Sequence, residues 1–87
     1  SVGDDMNSGI MEIDVHGMNQ FQAKTTINAA LKKATRGTYI IRIIHGYHNG
    51  TVLRDMIRRE YRSHPKIMRV ELSMNSGITE LILRTLI

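Results

Sequence analysis

Four side chains that could exchange protons cluster in two short stretches of this chain. Asp14 and His16 lie in "DVHGM" at 14–18, and His45 and His48 lie in "IHGYHNG" at 44–50. His16-Gly17 and His45-Gly46 stand 29 positions apart in matching contexts: an apolar residue, then His-Gly, then a bulky apolar or aromatic residue. Two positions apart at a strand end, Asp14 and His16 project to one side, and a carboxylate there orients an imidazole and favours its charged form. General acid–base cleavage of a phosphodiester needs groups that move protons near neutral pH, and cations that neutralise developing charge. Asp14, His16 and His45, backed by arginines, supply both. The competing reading is structural: histidines that cap turns, and an aspartate bonded to backbone. The spacing of Asp14, His16, His45 and His48 matches no compact ligand motif, so no metal site is assigned. No cofactor is required by these residues, and a divalent metal such as magnesium is compatible with them.

Hydrophobic periodicity supplies the elements that must hold these groups. "IMEIDV" at 10–15 alternates loosely and predicts a first strand. Asn19 and Gln22 form a capping-box pattern, and Ala23, Ile27, Ala30, Leu31 and Ala34 follow at helical spacing. A helix is expected over 20–36, with Gly37 just past its end. "TYIIRIIH" at 38–45 is a nearly continuous apolar run and predicts a central strand covered on both faces. Val52, Leu53, Met56, Ile57 and Tyr61 predict a second helix near 51–62, whose other face carries Arg54, Arg58, Arg59 and Arg62. His64-Pro65 ends it, because the residue before proline avoids the α region. "IMRVEL" at 67–72, the turn "MNSG" and "ITELILRTLI" at 78–87 predict two strands paired as an antiparallel hairpin.

The resulting order is β-α-β-α-β-β. Right-handed helical crossovers make the first three strands parallel. The expected fold class is α/β: a two-layer sandwich of one mixed four-stranded sheet with two helices on one face. Residues 1–9 are expected to be a flexible leader and 10–87 a single domain. Both His-Gly pairs then fall where a strand ends and a helix approach begins. If their strands are neighbours they share one rim, where open α/β sheets bind ligands. The second loop, with Gly46, Tyr47, His48, Asn49 and Gly50, leads into a helix N-terminus and reads as an anion cradle. Gly17 permits the tight turn of the first loop. Arg54, one turn into the second helix, faces the same anion, with Arg58 beyond it. Tyr47 reads equally as a platform for a nucleotide base or as a loop anchor. Phe21 and Tyr61 fit helix packing better than base stacking, and His64 reads as a surface residue at a helix end.

Composition narrows the partner. The 87 residues contain no cysteine, which excludes disulfides, thiolate zinc sites and thiol nucleophiles and fits a cytoplasmic protein. No apolar run approaches the ~18 residues of a membrane span, and "SVGDDMNSGI" lacks the features of a signal peptide. The core of so short a chain is small, so an open cleft or rim is expected in place of an enclosed site. The net charge is only +4, but residues 32–69 hold ten bases against Asp55 and Glu60, a local balance of +8. That clustering points to an anionic partner, nucleic acid first; a solvated basic face is the alternative.

With both motifs placed, the chain resembles the small MutS-related (Smr) domain family. Asp14-Val15-His16-Gly17 is similar to that family's Asp-Leu-His-Gly box, with one conservative change. His45-Gly46-Tyr47-His48-Asn49-Gly50 is similar to its His-Gly-x-Gly-x-Gly loop, with His48 in place of the middle glycine. "TVLRDMIRREYRSHP" resembles the second helix and "NSGITELIL" the closing hairpin, so the resemblance covers about 11–84. It implies a fold akin to the C-terminal domain of translation initiation factor three. It also implies nucleic-acid binding, with endonuclease activity on structured or branched DNA, or on RNA, in several relatives, and a place in DNA repair or recombination. By the same resemblance Asp14 and His16 belong to cleavage, and His45, Gly46 and Gly50 to nucleic-acid engagement. The alternative is a non-catalytic DNA-, RNA- or ribosome-binding module, as in relatives that bind without cutting. The His48 side chain narrows the loop's approach to phosphate, or adds a proton donor to it.

Overall fold

In the computed structural model of the chain, residues 2–5, 9–47 and 50–84 are described. Strand β1 covers Val2–Asp5, β2 Ile10–Asp14, β3 Ile40–Ile44, β4 Ile67–Leu72 and β5 Ile78–Leu83; helix α1 covers Gln20–Lys33 and α2 Val52–Tyr61. From β2 onward the order is the expected β-α-β-α-β-β, and the sheet is ordered β1-β2-β3-β5-β4. Parallel pairing joins β2 to β3, and β5 runs antiparallel to both β3 and β4. The three strands expected to be parallel do run in one direction, but β5 inserts between β3 and β4. The tight 73–77 connection makes this the simplest solution: β5 must pair with β4, and its other edge then meets β3.

Alternation along the strands decides the layers. Met11 and Ile13 of β2, Ile41 and Ile43 of β3, and Thr79, Leu81 and Leu83 of β5 point to the helices and are buried. They meet Ala23, Ile27, Ala30 and Leu31 of α1, and Met56, Ile57 and Tyr61 of α2. Tyr61 fits helix packing as its spacing suggested, and its hydroxyl donates to Asn28 Oδ1 across the helix pair at 2.8 Å. β3 is the central strand, as its apolar run predicted, but only one of its faces is covered. Its outward residues Ile40, Arg42 and Ile44 are half-buried. Arg42 is held there by acids on both neighbouring strands, Glu80 at 2.9 Å and Glu12 at 3.7 Å. The cross-strand register that sets Arg42 between Glu12 and Glu80 makes these pairs. The basic segment 32–69 is therefore divided: Arg42 and Arg69, which pairs with Glu71, sit on the open sheet face.

Several boundaries differ from expectation, each for a local reason. Residues 2–5, expected to be part of a flexible leader, form a strand on the outer edge of β2. Helix α1 stops at Lys33 because Ala34 turns to extended backbone (φ −63°, ψ 134°). Gly37 is thus not its C-terminal glycine, and it lacks the positive φ of that role. Strand β5 spans Ile78–Leu83, and the expectation for 85–87 lies outside the described residues. At its other end α1 starts as predicted. Asn19 Oδ1 accepts from the Gln22 amide at 2.8 Å and Gln22 Oε1 accepts from the Asn19 amide at 3.1 Å. Asn19→Ala removes one acceptor of this reciprocal cap. It is expected to cost about 1 kcal/mol in urea unfolding, with no change in the sheet.

Candidate functional site

Strand β2 delivers the first loop to the rim. Its last ladder bond, from the Val15 amide to Ile44 O at 2.8 Å, ties it to the end of β3. The chain then reverses over Val15–Met18, closed by the Met18 amide on Val15 O at 3.1 Å. Gly17 takes φ +80° at the third position, as a type II turn demands. This turn holds Asp14 and His16 together: Asp14 Oδ1 accepts from the His16 amide at 3.0 Å and lies 2.5 Å from His16 Nδ1. The proton between them therefore sits on Nδ1, which leaves Nε2 as the ring's basic nitrogen. Among the described residues no protein group meets that nitrogen, and the His16 side chain is 67% exposed. The hydrogen bond from His16 holds the Asp14 carboxyl below the usual carboxylate range. Asp14 is thus ionised at neutral pH, and a charged carboxylate orients an exposed imidazole.

The second loop lies against the first. Gly46 takes φ +73°, and a Cβ there would stand 3.3 Å from His16 Cβ. The two His-Gly pairs meet on one rim, as the βα spacing predicted. Their histidines, however, do different things. His45 is 5% exposed; its Nδ1 donates to Gly46 O at 2.8 Å and its Nε2 accepts from the Thr79 hydroxyl at 2.9 Å. Both ring nitrogens are engaged, and burial, with repulsion from Arg58 and Arg54, pushes its pKa below the ordinary histidine value. His45 is thus held inside the rim by both ring nitrogens, whereas His16 is open to solvent. The sequence hint was Thr79, a polar residue at an inward position of an otherwise apolar β5. The loop is further bound to the β4–β5 turn, where Gly77 O accepts the His45 and Gly46 amides at 2.9 and 3.0 Å. A side chain at Gly77 would press on Tyr47 at 3.1 Å and on the Gly46 backbone at 3.3 Å. Gly77 is therefore part of the site's construction, although the spelling "NSG" marked only a turn.

A cleft of about 290 Å³ opens between the N-terminal ends of the two helices, lined by Asn19 and Gln20 of one and by Gly50, Val52 and Leu53 of the other. His45, Gly17 and Met18 complete its wall. Thr51 stands at the N-cap of α2 without capping it, since its hydroxyl is turned to Asp55 Oδ2 at 2.9 Å. Among the described residues the first amides of α2 thus have no side-chain acceptor, and two helix-dipole ends converge on one space. Arg54 Nε is drawn to Asp55 Oδ1 at 3.2 Å. Arg58, one turn on, has a buried Nε with no acceptor among the described residues. Arg54 and Arg58 are both half-buried on α2. Tyr47 is 62% exposed beside this loop. His48 and Asn49, expected in the cradle, lie outside the described residues. Among the described residues no group of three or more His, Cys, Asp or Glu is placed to hold a metal ion.

The cleft continues, through Gly17 and Met18, into a second and shallower groove that contains His16. Phe21 lines that groove and is 78% exposed. The helix-packing role expected for it is therefore wrong. Position 21 is off the buried stripe of Ala23, Ile27, Ala30 and Leu31, and that offset was readable beforehand. His64, by contrast, is structural: its Nδ1 accepts from the Lys66 amide at 3.1 Å in the turn after α2.

The model of the Smr domain family matches residues 13–79, a span that holds both His-Gly loops and both helices. The fold is similar to the crystal structure of the Smr domain of Thermus thermophilus MutS2, with a TM-score of 0.76 and 26% sequence identity; the alignment covers 84% of this chain and 96% of that one. No curated protein matches the chain in sequence. No helix among the described residues is long and apolar enough to cross a membrane. Both His-Gly loops, at the ends of adjacent parallel strands, lie inside the matched span, and the chain belongs to the Smr domain family.

Proposed function

We propose that this domain binds DNA or RNA and cleaves its phosphodiester backbone, with His16 as the proton-transfer group, Asp14 as its orienting partner, and the helix-end cleft as the phosphate seat. The observation that carries this reading is the exposed Asp14–His16 pair at the mouth of a cleft with two helix N-termini. A phosphate in the cleft would accept from the free amides of α2 and from the arginines, Arg54 and Arg58. Arg58, whose Nε has no acceptor among the described residues, offers an anion its guanidinium donors. His16 Nε2 takes a proton from the attacking hydroxyl or water as the new P–O bond forms, and Asp14 stabilises the resulting imidazolium; the P–O bond to the leaving oxygen breaks, and that oxygen takes its proton from water. Asp14 is the carboxylate of this rim that would hold a magnesium ion, which would supply positive charge to the phosphate, so cleavage is measured with and without magnesium.

Binding without cleavage is the second reading. It is favoured by the burial of His45, which leaves His16 as the exposed imidazole of the two His-Gly loops. A salt titration tests the part common to both. Log affinity for a short duplex or single strand should fall linearly with log salt, with a slope of about −0.7 to −0.9 per neutralised phosphate. Replacing Arg58 by Ala should make that slope shallower by about one. A flat slope for the wild type rules out nucleic acid as the ligand.

A further inference from the structure

We propose that the groove beside His16 seats an unpaired nucleobase stacked on Phe21, which restricts the domain to phosphodiesters next to unpaired nucleotides; this rests on the function proposed above. The ring of Phe21 is 78% exposed on the first turn of α1, in the same groove as His16, Gly17 and Met18. Folding gains little from it there. It misses the core, and phenylalanine is a weaker helix former than the alanine or glutamate that an exposed position admits.

The rest of the groove is built to match a flat apolar face. Thr25 and Thr26 turn their hydroxyls back onto the helix, donating to Phe21 O at 2.9 Å and to Gln22 O at 3.0 Å. The Thr26 hydroxyl also meets the Met18 sulfur at 3.6 Å, so the threonine methyl groups and the Met18 methylenes are what these residues offer a ligand. Gln22 Oε1 is committed to the Asn19 amide. A groove of one aromatic ring and aliphatic groups, with His16 and the Gln22 amide nitrogen as its polar members, recognises a base chiefly by its π-face. Such recognition is tolerant of sequence. The first turn of α1 carries no acidic residue to repel the adjoining phosphates.

Position relative to the cleft identifies the substrate. Groove and cleft share Gly17 and Met18, so a phosphate between the helix ends and a base on Phe21 belong to neighbouring parts of one strand. Inside a duplex both faces of a base are already stacked. Phe21 reaches one only in a single strand, a loop, a bulge or a branch point, or after flipping.

The chain has no tryptophan, so Phe21→Trp installs a single fluorescent reporter at the position in question. Its emission should be quenched by a short single-stranded oligonucleotide and left unchanged by an abasic strand with the same phosphates. In parallel, Phe21→Ala should bind the single strand roughly 5- to 150-fold more weakly and bind duplex as the wild type does. Phe21→Tyr should retain the affinity for the single strand. Because the side chain is exposed, all three variants should melt as the wild type does. If Phe21→Ala binds the single strand as tightly as the wild type, stacking is refuted while the salt-dependent cleft reading stands. An equal loss on duplex and single strand also refutes it, and so does quenching of the Phe21→Trp protein by the abasic strand to the same extent. Failure of every oligonucleotide to bind overturns this proposal and the function beneath it together.

Discussion

His16→Ala is expected to slow phosphodiester cleavage by about 100- to 10,000-fold, the range for loss of a positioned acid–base group, while leaving affinity for nucleic acid within a few-fold. The separation of the two readouts follows from the site. The proposed phosphate seat consists of helix amides and arginines, and His16 is on an exposed turn whose backbone is closed by Val15 and Met18. Removing the imidazole therefore costs the chemistry and not the seat or the fold. Asp14→Asn should act differently. An amide oxygen still accepts from the His16 backbone and from Nδ1–H, so the ring stays oriented, but the charge opposite a developing imidazolium is gone. A smaller loss than that of His16→Ala is expected, without loss of folding. Because His16 holds the Asp14 carboxyl below its usual range, Asp14 stays ionised in mildly acidic assays as well. The measurement is single-turnover cleavage of a branched DNA, a duplex and a single-stranded RNA, each with and without magnesium. If His16→Ala cuts as fast as the wild type, the dyad is not the cleaving group and the domain is a binding module.

Much of this site is legible in the spelling, because turns and strand ends depend on local chemistry. "DVHG" carries a carboxylate two residues before an imidazole and a glycine for a positive-φ turn, and those three facts determine the dyad's geometry. The capping box at Asn19 and the start of α1 are readable for the same reason. What the sequence does not reveal is decided by partners distant in the chain. His45 is indistinguishable from His16 by its neighbours, and its role depends on Thr79, 34 positions later, which engages the ring only once β5 inserts between β3 and β4. That insertion is itself implicit in the short 73–77 turn. The continuous apolar run of β3 overstates its burial. Isoleucine serves a half-covered face just as well when an Arg42–Glu80–Glu12 row screens part of it. Phe21 misleads for the opposite reason: an aromatic residue near a helix suggests packing, although its offset from the buried stripe argues otherwise.

Acidification should destabilise the fold through His45, and His45→Gln should remove that component. The sign follows from the lowered pKa of the folded state. Between that value and the ordinary histidine value of about 6.5, the unfolded chain binds a proton that the native ring does not. Stability therefore rises with pH through that window. The contribution is complete above about pH 6.5 and is lost progressively as pH falls below it. The physical cause is local. Protonation puts a cation into a buried position that Arg58 and Arg54 already repel, and it forces the Thr79 hydroxyl to stop donating to Nε2. Each pKa unit of depression corresponds to about 1.4 kcal/mol. At pH 7 His45→Gln should be the less stable protein by about 1 to 3 kcal/mol, because a buried hydrogen-bond pair is broken or bent. On moving to pH 5 it should lose less than the wild type does, so the two urea-unfolding curves converge. The remaining side chains are common to both proteins, so their contributions cancel in the difference. Parallel stability profiles from pH 7 to pH 5 would show that the buried imidazole is not the acid-sensitive group. Convergence would locate the fold's acid sensitivity at the residue that binds the second loop to β5, beneath the phosphate seat. An acid-side loss of nucleic-acid binding should then track unfolding of this loop, and binding should depend less steeply on pH in His45→Gln than in the wild type.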